Sequence, residues 1–258
     1  MTHIAVISAG RPHQVKVMEP ALFNLQPFWY VPSDQVGIYR NAGAENVIGV
    51  EGELPMKSKQ LNHALNDGFG SGKIVVTLDD DFHAVKKTFN ENNKLVSLPY
   101  TLKETITELV DSLKDSKFHL AGVGPSLNAF FSGIGIKNQG KVNGQLSAQS
   151  PNVVRYDENL KSQVDYEYCL AHHAEHGGVI IHKSLLVDFH LFGRTPSRDK
   201  GYTGGLANLR SNETNAFSAQ VMSERYGIYI EAEEVGKSRK SKVSYKKIKW
   251  AGKPSWTM

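Results

Sequence analysis

The chain has 258 residues, long enough for one α/β domain with a sizeable core, and its 40% hydrophobic and 22% charged residues are ordinary globular composition. No apolar run approaches the length of a membrane span, and the start MTHIAVISAGRP lacks a secretory profile, so a soluble, cytoplasmic protein is expected. The net charge is +4, but KSRKSKVSYKKIK (237–249) carries seven basic residues and no acid, so removing those seven charges from +4 leaves −3 elsewhere.

In chain order, HIAVISAG is a strand closed by the turn Gly10-Arg11-Pro12. SDQVGIYRNAG predicts a short helix capped by Ser33 and stopped by Gly43, and NVIGVE a second strand. MKSKQLNHALNDG predicts a helix with Leu61, Ala64 and Leu65 on one face and Gly68 as its stop, followed by the strand KIVVTLD. This alternation points to a doubly wound, mainly parallel sheet flanked by helices, in which ligands bind at the carboxyl ends of the strands. TLKETITELVDSLKD is an amphipathic helix with a Thr101/Glu104 capping box, and FHLAGVG leads into a polar stretch, 125–152, in which a hairpin over an acceptor cleft is expected.

The second half reads as a helix over DENLKSQVDYEYCLAHHAEHGG (157–178), the strand VIIHKS and a Gly-, Pro- and Arg-rich segment from 192 to 205. The helix NETNAFSAQVMSERYG and the strand IYIEAEE follow. A domain covering 1–236 with a basic segment over 237–258 is the expected organisation. Cys169 rules out an internal disulfide and, alone on a helix, reads as small core filling.

The chemistry concentrates in DDD, 79–81, directly behind the buried strand Ile74–Leu78. Adjacent carboxylates in a low-dielectric site need a cation, or one of them takes up a proton. Asp79 and Asp81, two apart at a strand end, project to one side, and their hard oxygens suit Mg²⁺ or Mn²⁺ completed by substrate phosphate and water. GSGK at 70–73 is not a phosphate loop, because Lys73 precedes a strand rather than a helix. HHAEH at 172–176 fits H-x-x-E-H, so His172, Glu175 and His176 form a distant zinc-peptidase alternative without an evident third ligand.

The segments KSKQLNHALNDGFGSGKIVVTLDDDF (57–82) and VRYDENLKSQVDYEYCLAHHAEHGG (154–178) resemble GT-A fold glycosyltransferases, in which a basic helix precedes a strand ending in Asp-x-Asp. More narrowly, DDDF, DENLKSQVDYEY and GGLANLR are similar to the phage enzymes that glycosylate hydroxymethylated DNA bases, the group associated with TET/JBP-type base oxidation; this likeness covers most of residues 3–230.

The resemblance implies that Asp79 and Asp81 hold Mn²⁺ or Mg²⁺ against the diphosphate of a nucleotide-sugar, a UDP-sugar, with Asp80 near the ribose or sugar. Ser8, Gly10 and Arg11 then lie against base and ribose, Lys57, Lys59 and Asn62 face the nucleotide, and Arg194 and Arg198, with Lys200, close over the donor. His190, or His182, is the implied third metal ligand. Asp165 stands at the position of the acceptor-side general base. The family has Glu before that Asp, whereas Val164 stands here and Glu167 follows two positions later, so the base is Asp165 or Glu167.

The acceptor implied is double-stranded DNA carrying 5-hydroxymethylcytosine. Lys237, Arg239, Lys240, Lys242, Lys246, Lys247 and Lys249 would neutralise its phosphates. The same basic stretch also reads as a solvated edge hairpin, in which lysines around Val243, Tyr245 and Ile248 discourage strand pairing. A glycosyltransferase with a polysaccharide or protein acceptor is a rival reading, and a non-enzymatic nucleic-acid-binding module is a further one.

Overall fold

The computed structural model describes residues 2–53, 56–114, 116–124, 128–189, 212–229 and 249–250. β1 (Thr2–Ile7), β2 (Phe28–Pro32), β3 (Asn46–Val50) and β4 (Ile74–Asp79) lie parallel in the order β3-β2-β1-β4. The sheet continues through β9 (Leu146–Gln149), β7 (Leu120–Val123), β10 (Ile180–His182) and β8 (Ile136–Lys137), with β9 antiparallel to both β4 and β7. The expected mixed, mainly parallel sheet flanked by helices is what forms.

β1 is buried on both faces because alternate residues feed opposite cores. Ile4 and Val6 pack with α1 (Gln14–Leu22), α2 (Val36–Asn41) and α4 (Leu102–Lys114). Ala5 and Ile7 pack with α3 (Lys57–Gly70) and α6 (Val164–His176). The capping box of α4 forms as expected: Thr101 Oγ1 accepts from the Glu104 N–H at 3.1 Å, and Glu104 accepts from the Thr101 N–H at 3.0 Å.

Several elements differ from the sequence reading. α1 and β2 lie where no element is expected, in a stretch punctuated by Pro20 and Pro27. Ser33 opens a 3₁₀ turn (Ser33–Gln35) without a side-chain capping bond. The helix expected from 157 begins only at Val164, after Gln163 takes a left-handed conformation with φ 57°. The polar stretch 125–152 supplies α5 (Ala129–Ser132), β8 and the central strand β9. A long hairpin of β5 (Phe82–Glu91) and β6 (Lys94–Tyr100) follows the acidic turn and is joined by β11 (Leu185–Phe189) in a second sheet.

α7 (Asn212–Tyr226) leads to β12 (Ile228–Tyr229), which pairs with β13 (Lys249–Trp250). His190, Arg194, Arg198, Lys237, Arg239, Lys240, Lys242, Lys246 and Lys247 lie outside the described residues, and Lys249 is described only as the backbone of β13. Among the described residues no helix is long and apolar enough to cross a membrane.

Candidate active site

Parallel strands deliver β1 and β4 side by side with their carboxyl ends together, Ile7 opposite Asp79. Beyond β1, Gly10 takes a φ of 70°, a left-handed conformation that glycine adopts without steric cost. Its N–H donates to Gln35 Oε1 at 2.7 Å. This bend turns Arg11 back over the turn Asp80-Asp81 that follows β4.

Asp80 is fully buried; it accepts from the Ser8 hydroxyl and forms an ion pair with the Arg11 guanidinium. Burial pushes its carboxyl up to about 6, with Arg11 and Ser8 opposing the shift. Tyr39 closes the network, its phenol bonded to Ser8 Oγ and accepting from the Arg11 N–H at 3.0 Å. Gln60, on α3, fixes the same strand ends by donating 2.8 Å bonds to the Ser8 and Tyr30 carbonyls.

Asp79 adds a second cation, and Asp81 shares Arg11 with Asp80. Lys57, in the first turn of α3, donates to Asp79 Oδ2 at 2.7 Å. Asp81 lies 3.9 Å from the Arg11 guanidinium and accepts a 3.4 Å bond from Gln145 Nε2. Burial and the neighbouring Asp79 charge push the Asp81 carboxyl up to about 7. Arg11 and Lys57 oppose that rise without cancelling it, and a bound cation would oppose it further.

No group of three His, Cys, Asp or Glu side chains among the described residues is arranged to hold a metal ion. Asp80 is buried on Ser8 and Arg11, so a divalent ion here would rest on Asp79 and Asp81. Its remaining oxygens would come from a diphosphate and water, the coordination Mg²⁺ commonly takes. His182 is not positioned to add to them: β10 stands three strands from β4, about 14 Å away across the sheet. Phe189, the residue before His190, pairs with Phe82 immediately behind the acidic turn.

Lys57 and Lys59 share a helix but not a site. Two residues apart they point in different directions, and the Lys59 ammonium lies against Gly52. Asn62 is also directed elsewhere: its amide donates to the Tyr156 carbonyl and Glu158 Oε1, each at 2.9 Å, and accepts the Tyr156 N–H at 2.8 Å. It clamps the segment before α6, where the resemblance implied a nucleotide contact.

The two candidate bases are separated by the helix. Asp165 is ion-paired with Lys141, and its Oδ1 accepts from the Tyr166 N–H at 3.1 Å. Glu167 is buried and accepts from Arg225 Nη1 at 2.6 Å and the Tyr226 hydroxyl at 2.5 Å, while Arg225 also pairs with Asp157 at 2.8 Å. Glu167 thus fastens α7 to α6 from a buried position, whereas Asp165 is partly exposed beside Lys141.

His172 and His176 share a helix face with ring centroids 5.3 Å apart, and His119 lies 4.4 Å from His176. His172 is completely buried against Tyr168, and no three-ligand group forms around it among the described residues, so the zinc-peptidase alternative gains no support. Cys169 is buried and its thiol is pushed up to about 12, as core filling requires.

A structure of S. aureus TarS, residues 1–349, in complex with UDP-GlcNAc matches this architecture with a TM-score of 0.53 over 87% of the chain at 13% identity. The fold is GT-A-like. The chain spans 66% of the length of that TarS structure. Mannose-1-phosphate geranyltransferase from Thermus thermophilus overlaps 71% of the chain and 56% of its own, at 11% identity and a TM-score of 0.35, too low to carry an argument. No protein-family model and no curated protein matches the sequence.

In this GT-A-like frame the residues that sequence reasoning missed are Tyr39, Gln60, Lys141, Gln145 and Arg225. Each acts through a contact between segments distant in the chain. Lys141 lies in the polar stretch read as holding a hairpin, and Arg225 at the end of a helix that carried no motif.

Proposed function

We propose that the protein is a glycosyltransferase that moves a sugar from a UDP-sugar to 5-hydroxymethylcytosine in double-stranded DNA. The observation that carries the donor half is the convergence of Ser8, Arg11, Lys57, Asp79 and Asp81 at the carboxyl ends of β1 and β4. This is where an open α/β sheet binds its ligand, and the GT-A-like frame is consistent with it. The acceptor half rests on the sequence resemblance and on the seven basic residues of 237–249.

Asp79 and Asp81 are the residues that would hold Mn²⁺ or Mg²⁺, which supplies charge neutralisation on the departing nucleoside diphosphate. Arg11 and Lys57 lie on the same turn and add positive charge beside the diphosphate. Asp165 accepts the proton of the acceptor hydroxymethyl group as that oxygen attacks the anomeric carbon. The lysines and arginines of the basic segment bind DNA phosphates without reading sequence.

The test is incubation of the full chain with a panel of UDP-sugars, Mn²⁺ and a duplex containing 5-hydroxymethylcytosine, followed by mass analysis of the bases. A hexose or pentose increment on the modified base is the expected result. Donor hydrolysis without that increment would retain the donor half and overturn the DNA acceptor, turning attention to polysaccharide or protein acceptors. Absence of UDP binding would overturn both halves.

A further inference from the structure

Between β8 and β9 the chain runs along α6, and its contacts repeat with the helix. Gly140 O is 3.0 Å from His173 Nε2, the Val142 N–H approaches Cys169 Sγ at 3.4 Å, and Lys141 is ion-paired with Asp165. Asp165, Cys169 and His173 are spaced four apart, so they form one stripe of the helix and the segment lies along it. Lys141 is largely buried, its ammonium 3.7 Å from the centre of the Tyr166 ring. At Gly144 a Cβ would stand 2.6 Å from Asp165 Cβ, closer than a side chain there tolerates.

The same segment then reaches the acidic turn. The Asp79 N–H donates to the Gln145 carbonyl at 2.8 Å, and Gln145 Nε2 reaches Asp81. Residues 141–145 therefore touch the candidate base Asp165 at Lys141 and Gly144, and the acidic turn at Gln145, through the Asp79 N–H and the Asp81 carboxylate.

We infer that residues 141–145 form a strap that sets Asp165 relative to the acidic turn, with Lys141 the positioning residue for Asp165. This rests on the proposed transfer reaction, in which the acceptor oxygen must meet Asp165 on one side and the donor's anomeric carbon on the other. Lys141 acts on the carboxylate through its ion pair and fixes its place. Displacement of such a group by about 1 Å can cost roughly a hundredfold in rate.

The test compares Lys141→Met, Lys141→Arg and Gly144→Ala with the unmodified chain by three readouts. These are sugar transfer from UDP-glucose or UDP-GlcNAc to 5-hydroxymethylcytosine duplex, UDP affinity with Mn²⁺ by calorimetry, and the rate at which a carbodiimide and an amine label Asp165. Lys141→Met should lose about tenfold to a hundredfold in transfer. Its UDP affinity should hold, and Asp165 should label faster. Lys141→Arg should restore most of the rate, and Gly144→Ala should reproduce the split between transfer and UDP binding.

Equal loss in Lys141→Met and Lys141→Arg, or unchanged Asp165 labelling in Lys141→Met, would overturn the strap. If Lys141→Met fails to fold, the Lys141→Arg and Gly144→Ala pair decides in the same way. A lack of transfer by the unmodified chain sinks the acceptor reading instead, and the labelling arm, which needs no substrate, still decides the strap.

Discussion

The turn after β4 and the first turn of α6 each carry two carboxylates two residues apart, Asp79 with Asp81 and Asp165 with Glu167. At the strand end the two carboxylates stay close enough that, after burial, the Asp79 charge pushes up the pKa of Asp81, with Arg11 and Lys57 opposing the shift. On the helix the same step turns the side chain by about 200°, so Asp165 meets the strap and Glu167 enters the core against Arg225 and Tyr226. Equal spacing in the sequence thus yields neighbouring carboxylates in one place and separated ones in the other.

The largest expected effect tests the neighbouring carboxylates. Asp81→Asn should lower sugar transfer by about a thousandfold, the equivalent of roughly 4 kcal/mol of leaving-group stabilisation, and abolish Mn²⁺-dependent UDP binding. A variant that transfers at the normal rate would show that the two aspartates do not act as a pair. Asp165→Asn comes next: a general base contributes about a hundredfold to ten-thousandfold, and transfer should fall by that order while UDP affinity is kept.

Glu167→Gln sharpens the contrast with its neighbour. Transfer should remain near the unmodified rate, while stability falls by about 1–2 kcal/mol through the loss of a charged hydrogen bond to Arg225, read as a lower Tm. If Glu167→Gln instead stops transfer with Tm unchanged, the assignment of base and fastener is reversed.

The smallest effect concerns the inner face of the same helix. Burial lowers the pKa of His172 and His173, and His176 falls for the same reason. These groups stay neutral in the folded chain while the unfolded chain takes up protons below about pH 6.5. Stability is therefore full above that pH and declines as pH falls from about 7 to 5. His172→Leu should flatten the decline of Tm over that range; an unchanged slope would mean that other groups set it.

Elements with strong local signals were legible in the sequence. β4, α4 with its capping box and the stop of α6 at Gly177, φ 76°, all follow from periodicity and turn chemistry that act within a few residues. α1 was hidden by Pro20 within it, and β2 by the prolines at its two ends, Pro27 and Pro32. β9 was hidden by its composition. Its Ser147 and Gln149 are polar, yet both are buried because Thr77 Oγ1 lies 2.9 Å from Ser147 and the Tyr168 hydroxyl bonds Gln149.

The candidate site divides in the same way. The acidic turn was readable because a charged triplet behind a buried strand is anomalous by itself. Lys57 meets Asp79 and Ser8 with Arg11 meets Asp80, whereas Lys59 and Asn62 turn away to Gly52 and Tyr156.

By itself the sequence determined the class of sheet, the place of the acidic turn and the identity of the candidate carboxylates, since these depend on local patterns of burial and charge. Only the tertiary structure decided which of Asp165 and Glu167 stays partly exposed and which is buried. That choice depends on Arg225 and Tyr226, 58 and 59 residues further along, and on Lys141, which arrives from a loop. A carboxylate's role is set by the charges that packing brings to it, and no window of sequence around Asp165 contains them.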